Sequence, residues 1–274
     1  MNQFQNFQTK KSYIMSKNFR SINATQGISE GFRLAGINWG LNIGFLIVVG
    51  IIGFFIGLIP IVSQAYSLFI APIIIFGYGI VAHKFATNQR VEFGDYFKGF
   101  DQFGPLLLTN LAKTLVTLLF SVPFIFYILD AMGGISGIMD LVNSISNPSE
   151  SREVIEQMIE KFSVLSIPIG FLLALLIFIP SFLLMFSLFF VWYKKSEPVD
   201  ALKQSMGLVM ENFGQIILFA ILLAVINAVA ALPCLIGLLF TVPASAFATY
   251  SLFASAVDIE DNGTKTTTDH FIEG

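Results

Sequence analysis

Residues 34 to 83, 162 to 193 and 215 to 257 carry no Lys, Arg, Asp or Glu. A membrane-spanning helix needs about 20 apolar residues. The first and third of these runs are therefore long enough to cross a bilayer and return. The pattern predicts spans at about 39–59, 64–83, 105–130, 163–193, 213–233 and 236–257. The break between the first two is placed at Ile59-Pro60, and the one between the last two near Pro233.

Each pair of spans follows an amphipathic stretch. Val199, Leu202, Met206, Val209, Met210 and Phe213 recur at spacings that place them on one helical stripe. Phe93, Tyr96, Phe97 and Phe100 repeat the design, as do Ile28, Phe32, Ala35 and Trp39. Such helices are expected to rest in the membrane interface with the apolar face down. An aromatic-Gly pair closes each one, at Trp39-Gly40, Phe103-Gly104 and Phe213-Gly214. The predicted fold is thus an all-α, polytopic bundle of six transmembrane helices in three hairpins, each preceded by a cytoplasmic interfacial helix. It reads as a single membrane domain, 26–257. A flexible polar terminus, 1–25, without an apolar leader, precedes it, and a polar tail, 258–274, expected to lack structure, follows it. Residues 131–161 form an extracytoplasmic amphipathic loop, with a helix start at Asn147-Pro148-Ser149-Glu150 and an apolar stripe from Val154 to Phe162.

Composition agrees with a membrane class. Of 274 residues 55% are hydrophobic and 12% charged, against about 25% in soluble domains. Mean hydropathy is +0.77. Of the 15 Lys and Arg, only Arg152 and Lys161 fall beyond the side of the N-terminus. The excess of positive charge on the cytoplasmic side predicts a bacterial inner-membrane protein with both termini inside and the acidic loop outside.

Candidate chemistry is sparse. His83 and His270 are the two histidines, and Cys234 is the single cysteine, too few soft ligands for a typical zinc site. No phosphate loop, nucleophile elbow or HExxH occurs. No cofactor is expected. The intramembrane polar candidates are Asn227, Asn42 and Lys113. Asn227 reads either as an interhelix hydrogen bond or as a solute contact, and Lys113 either as a snorkelling lysine or as a functional charge. Gly53 and Gly57 permit close helix contact, within the chain or with a second copy. Trp39, Phe103, Trp192, Tyr193 and Phe213 are candidate interfacial anchors. Ala244, Ala248, Ser251 and Ser255 give the last span a small-residue face suited to tight packing.

Pro180-Ser181-Phe182, Trp192-Tyr193, Ala201-Leu202-Lys203-Gln204-Ser205 and Asn212-Phe213-Gly214, with Gly237, Pro243 and Tyr250, form a further pattern. It resembles a large bacterial family of six-helix membrane proteins of unknown function. That family is related to the membrane domain of some glycerophosphodiester phosphodiesterases. Ser181 stands where its members usually carry Gly. The resemblance implies the six-helix architecture and no particular activity. The phosphodiesterase domain is absent from these 274 residues. The sequence is therefore read as a non-enzymatic membrane protein with a structural, assembly or lipid-handling role in the envelope. The alternative is a small carrier for a hydrophobic or zwitterionic solute. The expected partners are membrane lipids and a membrane protein or second copy, with no nucleic acid.

Overall fold

A computed structural model describes residues 19–131, 133–144, 166–233, 235–261 and 264–266. Residues 1–18, the helix start at Asn147, the Val154–Phe162 stripe, Cys234 and His270 lie outside the described residues.

The described helices are α1 (Ala24–Gly36), α2 (Trp39–Gly57), α3 (Pro60–Phe69), α4 (Ala71–Ala86), a 3-10 helix (Phe93–Gln102), α5 (Phe103–Ala131), α6 (Gly134–Ser144), α7 (Ser166–Leu183), α8 (Ser187–Lys194), α9 (Pro198–Glu211), α10 (Phe213–Ala231) and α11 (Leu238–Ala256). Six helical stretches are long and apolar enough to cross a membrane: Trp39–Gly57, Pro60–Ala86, Phe93–Asp130, Ile169–Lys194, Phe213–Ala231 and Leu238–Ala256. Each aromatic-Gly pair begins a helix, α2 at Trp39, α5 at Phe103 and α10 at Phe213. Local chemistry explains the first of these. Asn38 Oδ1 accepts from Leu41 N at 3.0 Å, which satisfies one orphan donor of α2.

Two spans are interrupted, the second where one continuous helix was expected and the fourth where Pro180 was expected to kink it or mark its entry. The second starts at Pro60 and breaks at Ile70. Pro72, in the first turn of α4, supplies no N–H to continue the ladder of α3. The fourth breaks between Leu183 and Ser187, just after Pro180. The tail also departs from its expectation. Ile259–Asp261 pairs antiparallel with Thr264–Thr266, and Asn262-Gly263 between them is a hairpin-turn sequence.

Contacts divide the chain into two compact units, residues 1–110 with 186–274, and residues 111–185. The core of the first gathers the start of α2, the later parts of α4 and α11, and α8 and α9. Phe45, Tyr96, Phe186, Phe190, Phe219, Phe247 and Phe253 are its largest fully buried side chains. Phe45 stacks on Tyr96 at 4.2 Å and meets Tyr78 edge-on at 5.1 Å.

The largest correction concerns α1. Its apolar side faces protein, with Gly27, Ile28, Gly31, Leu34 and Ala35 buried. A Cβ at Gly27 would meet Leu252 at 2.7 Å, and one at Gly31 would meet the Ala248 backbone at 2.4 Å. The chains therefore run antiparallel at near-backbone contact, as small residues on both faces allow. The small face of α11 finds its neighbour here.

The second amphipathic stretch is a 3-10 helix, in which residues three apart eclipse. Tyr96 and Gly99 are buried, while Phe93 and Phe100 stay exposed. The third, α9, divides its apolar residues between two faces. Ala201, Leu208 and Val209 are buried, whereas Val199, Met206 and Met210 are exposed.

Residues 19–23, expected to be part of a flexible terminus, are fixed. Phe19 N donates to Glu211 Oε2 at 2.9 Å and Ile22 N to Asn212 Oδ1 at 3.1 Å; Ala24 N then donates to Gln215 Oε1 at 3.0 Å. Arg20 forms an ion pair with Asp258 at 2.7 Å. Asn212 thus spends its acceptor on this strap, not on the helix it precedes.

In the second unit, a Cβ at Gly170 of α7 would meet the Tyr127 ring of α5 at 2.9 Å. Large apolar residues of both helices, Leu115, Leu119, Phe126, Phe171 and Leu172, are exposed. The expectation that Gly53 and Gly57 serve internal packing meets no support. A Cβ at either position would find nothing within 4 Å among the described residues.

Candidate functional site

Among the described residues, three polar networks in the first unit bring together the helix side chains with the most chemistry. Asn42, on the second turn of α2, is fully buried. Its Nδ2 donates to Ala35 O at 2.8 Å, and its Oδ1 accepts from the Tyr96 hydroxyl. Its own carbonyl accepts from the Tyr78 hydroxyl at 3.0 Å. One residue, through its side chain and its carbonyl, thereby ties α1, α2, α4 and the 3-10 helix together. Tyr96 was read only as part of an interfacial stripe, and Tyr78 was not singled out by its sequence. The signal at Tyr78 is a phenol inside an apolar run, which requires a partner when buried.

Asn227 joins α10 to α11. Its Nδ2 donates to Ser245 Oγ at 3.0 Å and to Leu223 O at 2.8 Å, and its Oδ1 accepts from Thr241 Oγ1 at 2.8 Å. The side-chain amide is thus engaged at both its donor and acceptor ends. Asn227→Leu is expected to cost only about 1 kcal/mol, because interhelix hydrogen bonds between membrane helices are individually modest. A thermal-unfolding midpoint in lipid nanodiscs checks this.

The third network surrounds His83. Its Nδ1 is hydrogen-bonded to the Tyr250 hydroxyl at 2.8 Å, and its ring lies 5.0 Å from that of Tyr193. The Tyr193 hydroxyl donates to Gly79 O at 3.0 Å. Next along the chain, Lys84 reaches Asp95 at 2.7 Å, and Lys98 reaches the same carboxylate at 2.9 Å. Asp95 also accepts from Glu92 N at 2.8 Å, capping the 3-10 helix. Asp95→Ala would leave the largely buried Lys84 ammonium without its partner, a loss of about 2–3 kcal/mol. It is expected to lower the unfolding midpoint far more than Arg90→Ala, whose contact with Glu92 is long, 3.5 Å, and exposed.

Lys113 stands apart from these networks. It is partly buried on α5, and among the described residues no carboxylate pairs with it. The anchor candidates take varied surroundings. Trp39 meets Phe240 edge-on at 5.4 Å, and Phe103 stacks on Phe100 at 5.9 Å. Trp192 carries the Lys195 ammonium over its ring at 5.4 Å. Phe213 is exposed. Outside the six spans, the Arg33 guanidinium donates two short hydrogen bonds to the Glu30 carboxylate, which hold it above its ordinary pKa. Among the described residues, no three His, Cys, Asp or Glu side chains gather as a metal-binding group.

Residues 98–259, more than half of the chain, match the family model described as a domain of unknown function, DUF7847. The chain belongs to this family. The DUF7847 segment contains Lys113, Asn227, Tyr193 and Tyr250, whereas Asn42, Tyr78, His83 and all of α1 precede it. The Asn42 network thus lies wholly before the DUF7847 match, and the His83 network joins residues on both sides of its start. No curated protein and no solved structure matches the chain.

Proposed function

We propose that the chain is an integral protein of the bacterial inner membrane that performs no catalysis of its own and serves a structural, assembly or lipid-handling role in the envelope. Its six spans form three hairpins, both termini are cytoplasmic, and the acidic 131–161 segment lies outside. In this reading it resembles the membrane domain of some glycerophosphodiester phosphodiesterases in architecture alone. Membrane lipids are its constant partners, and the uncovered Gly53 and Gly57 face is suited to a helix of another membrane protein or a second copy.

One observation carries the reading. The polar side chains best placed for chemistry, those of Asn42, Asn227 and His83, are engaged in hydrogen bonds within the fold. Groups so engaged hold helices together.

A carrier is the second reading. It is favoured by the broken spans at Ile70 and after Leu183 and by the Tyr66 hydroxyl, which is buried without a partner among the described residues, one turn before the first break. Interrupted helices with unsatisfied polar groups are where transporters hold solutes. Proteoliposome uptake separates the two. The structural reading expects no flux of hydrophobic or zwitterionic solutes above protein-free vesicles. Uptake that Tyr66→Phe or Asn227→Leu abolishes would establish the carrier.

A further inference from the structure

The contacts of α1 fix its height along α11. Gly27 lies against Leu252, Gly31 against Ala248, and Trp39 against Phe240. Ala248 is eight residues inside the end of α11 at Ala256, a distance of about 12 Å at 1.5 Å per residue. The hydrocarbon core of a bilayer is about 30 Å thick. The side of α1 turned away from α11 is nevertheless hydrophilic. Thr25, Ser29 and Arg33 are exposed there, and Arg33 pairs with Glu30. Between the two helices, Asn23, Gln26, Glu30, Ser251 and Ser255 line a small polar notch. α11 is also the least apolar of the six spans, with mean hydropathy 1.4.

At the same height, α10 is wholly apolar. Its Asn227 meets Thr241 and Ser245, and a Cβ at Gly237 would meet the Ala230 backbone, so α10 and α11 run antiparallel. Counting back from Asn227, Ile221 lies level with Ala248, and it is exposed. One level of the fold thus presents an ion pair on one flank and bare isoleucine on another. An ion pair facing hydrocarbon is costly, and charged groups at such depth face a water-filled cavity or one another.

We propose that α1 descends beside α11 and that its polar face lines a water-filled vestibule opening on the side of the N-terminus. This rests on the six-span reading of the chain. Glu30 and Arg33 cancel each other's charge, so the vestibule admits neutral and zwitterionic polar solutes without selecting the sign of charge.

The test uses the full-length protein in nanodiscs with its single native cysteine replaced by alanine. Ser29→Cys and Ile221→Cys are then exposed separately to membrane-impermeant cationic and anionic thiosulfonates. Both positions are at the surface of the fold, and an unchanged unfolding midpoint certifies each variant. Ser29→Cys is expected to react with reagents of either charge at similar rates, and at least about tenfold faster than Ile221→Cys, since hydrocarbon excludes a charged reagent. Fast labelling at both positions would place this level in open water, overturning the vestibule and the assignment of α10 to the membrane together. Slow labelling at both would overturn the vestibule and leave the membrane assignment standing. A strong preference of Ser29→Cys for one reagent charge would overturn the charge-neutral lining.

Discussion

Gly31→Leu is expected to prevent α1 from docking and to leave little folded protein. A Cβ at this position would lie 2.4 Å from both the Cα and the N of Ala248 and 2.5 Å from its Cβ. Real carbon atoms do not approach so closely, so the two helices would have to separate. Separation would also withdraw the Ala35 carbonyl from Asn42 and loosen Leu34, which is fully buried. Overpacking typically costs 1–3 kcal/mol, and a clash with backbone belongs at or above the top of that range, about 3 kcal/mol. Gly31→Ala is expected to be damaging as well. Adding Ala248→Gly is expected not to rescue it, because two of the three close contacts are with backbone. Unfolding midpoints of the single and double variants in nanodiscs check this. Full rescue would mean that the crossing is looser than described.

Asn42→Leu is the second large effect. Leucine fills a similar volume but can neither donate to Ala35 O nor accept from the Tyr96 hydroxyl. Two buried polar groups would lose their partners, each costing about 1–3 kcal/mol, so a loss of about 3 kcal/mol is expected. The Tyr78 bond should survive, because it is made to the backbone carbonyl of residue 42. Asn42→Leu combined with Tyr96→Phe should recover part of the loss, since removing both partners spares one unsatisfied group. An additive double-variant cycle would show that Tyr96 and Asn42 are not coupled in the membrane.

The spans were legible because their physics is one-dimensional. Runs such as 215–257 hold no charge, and the aromatic-Gly pairs mark helix starts at residues 39, 103 and 213. The surroundings of α1 were not legible. Ile28, Leu34 and Ala35 form an apolar stripe that reads the same whether it meets lipid or protein. What distinguishes the cases is Gly27 and Gly31 meeting the small face of α11, more than two hundred residues away. The Asn42 network was hidden for the same reason, since Tyr78 and Tyr96 reach it through folding. Asn227 had its partners on the neighbouring span, within one turn of Pro243, and its reading as an interhelix bond needed only that pairing. The break at Ile70 was left open because Pro72 alone does not say whether a proline kinks a helix or starts a new one.

The central claim is a six-span protein with both ends in the cytoplasm. Single cysteines at Ser151 and Thr268, each in the cysteine-free background, test it most directly in intact spheroplasts with an impermeant thiol reagent. The account predicts that Ser151→Cys is labelled from outside, whereas Thr268→Cys is labelled only after lysis. Labelling of both from outside, or of Thr268→Cys alone, would contradict it.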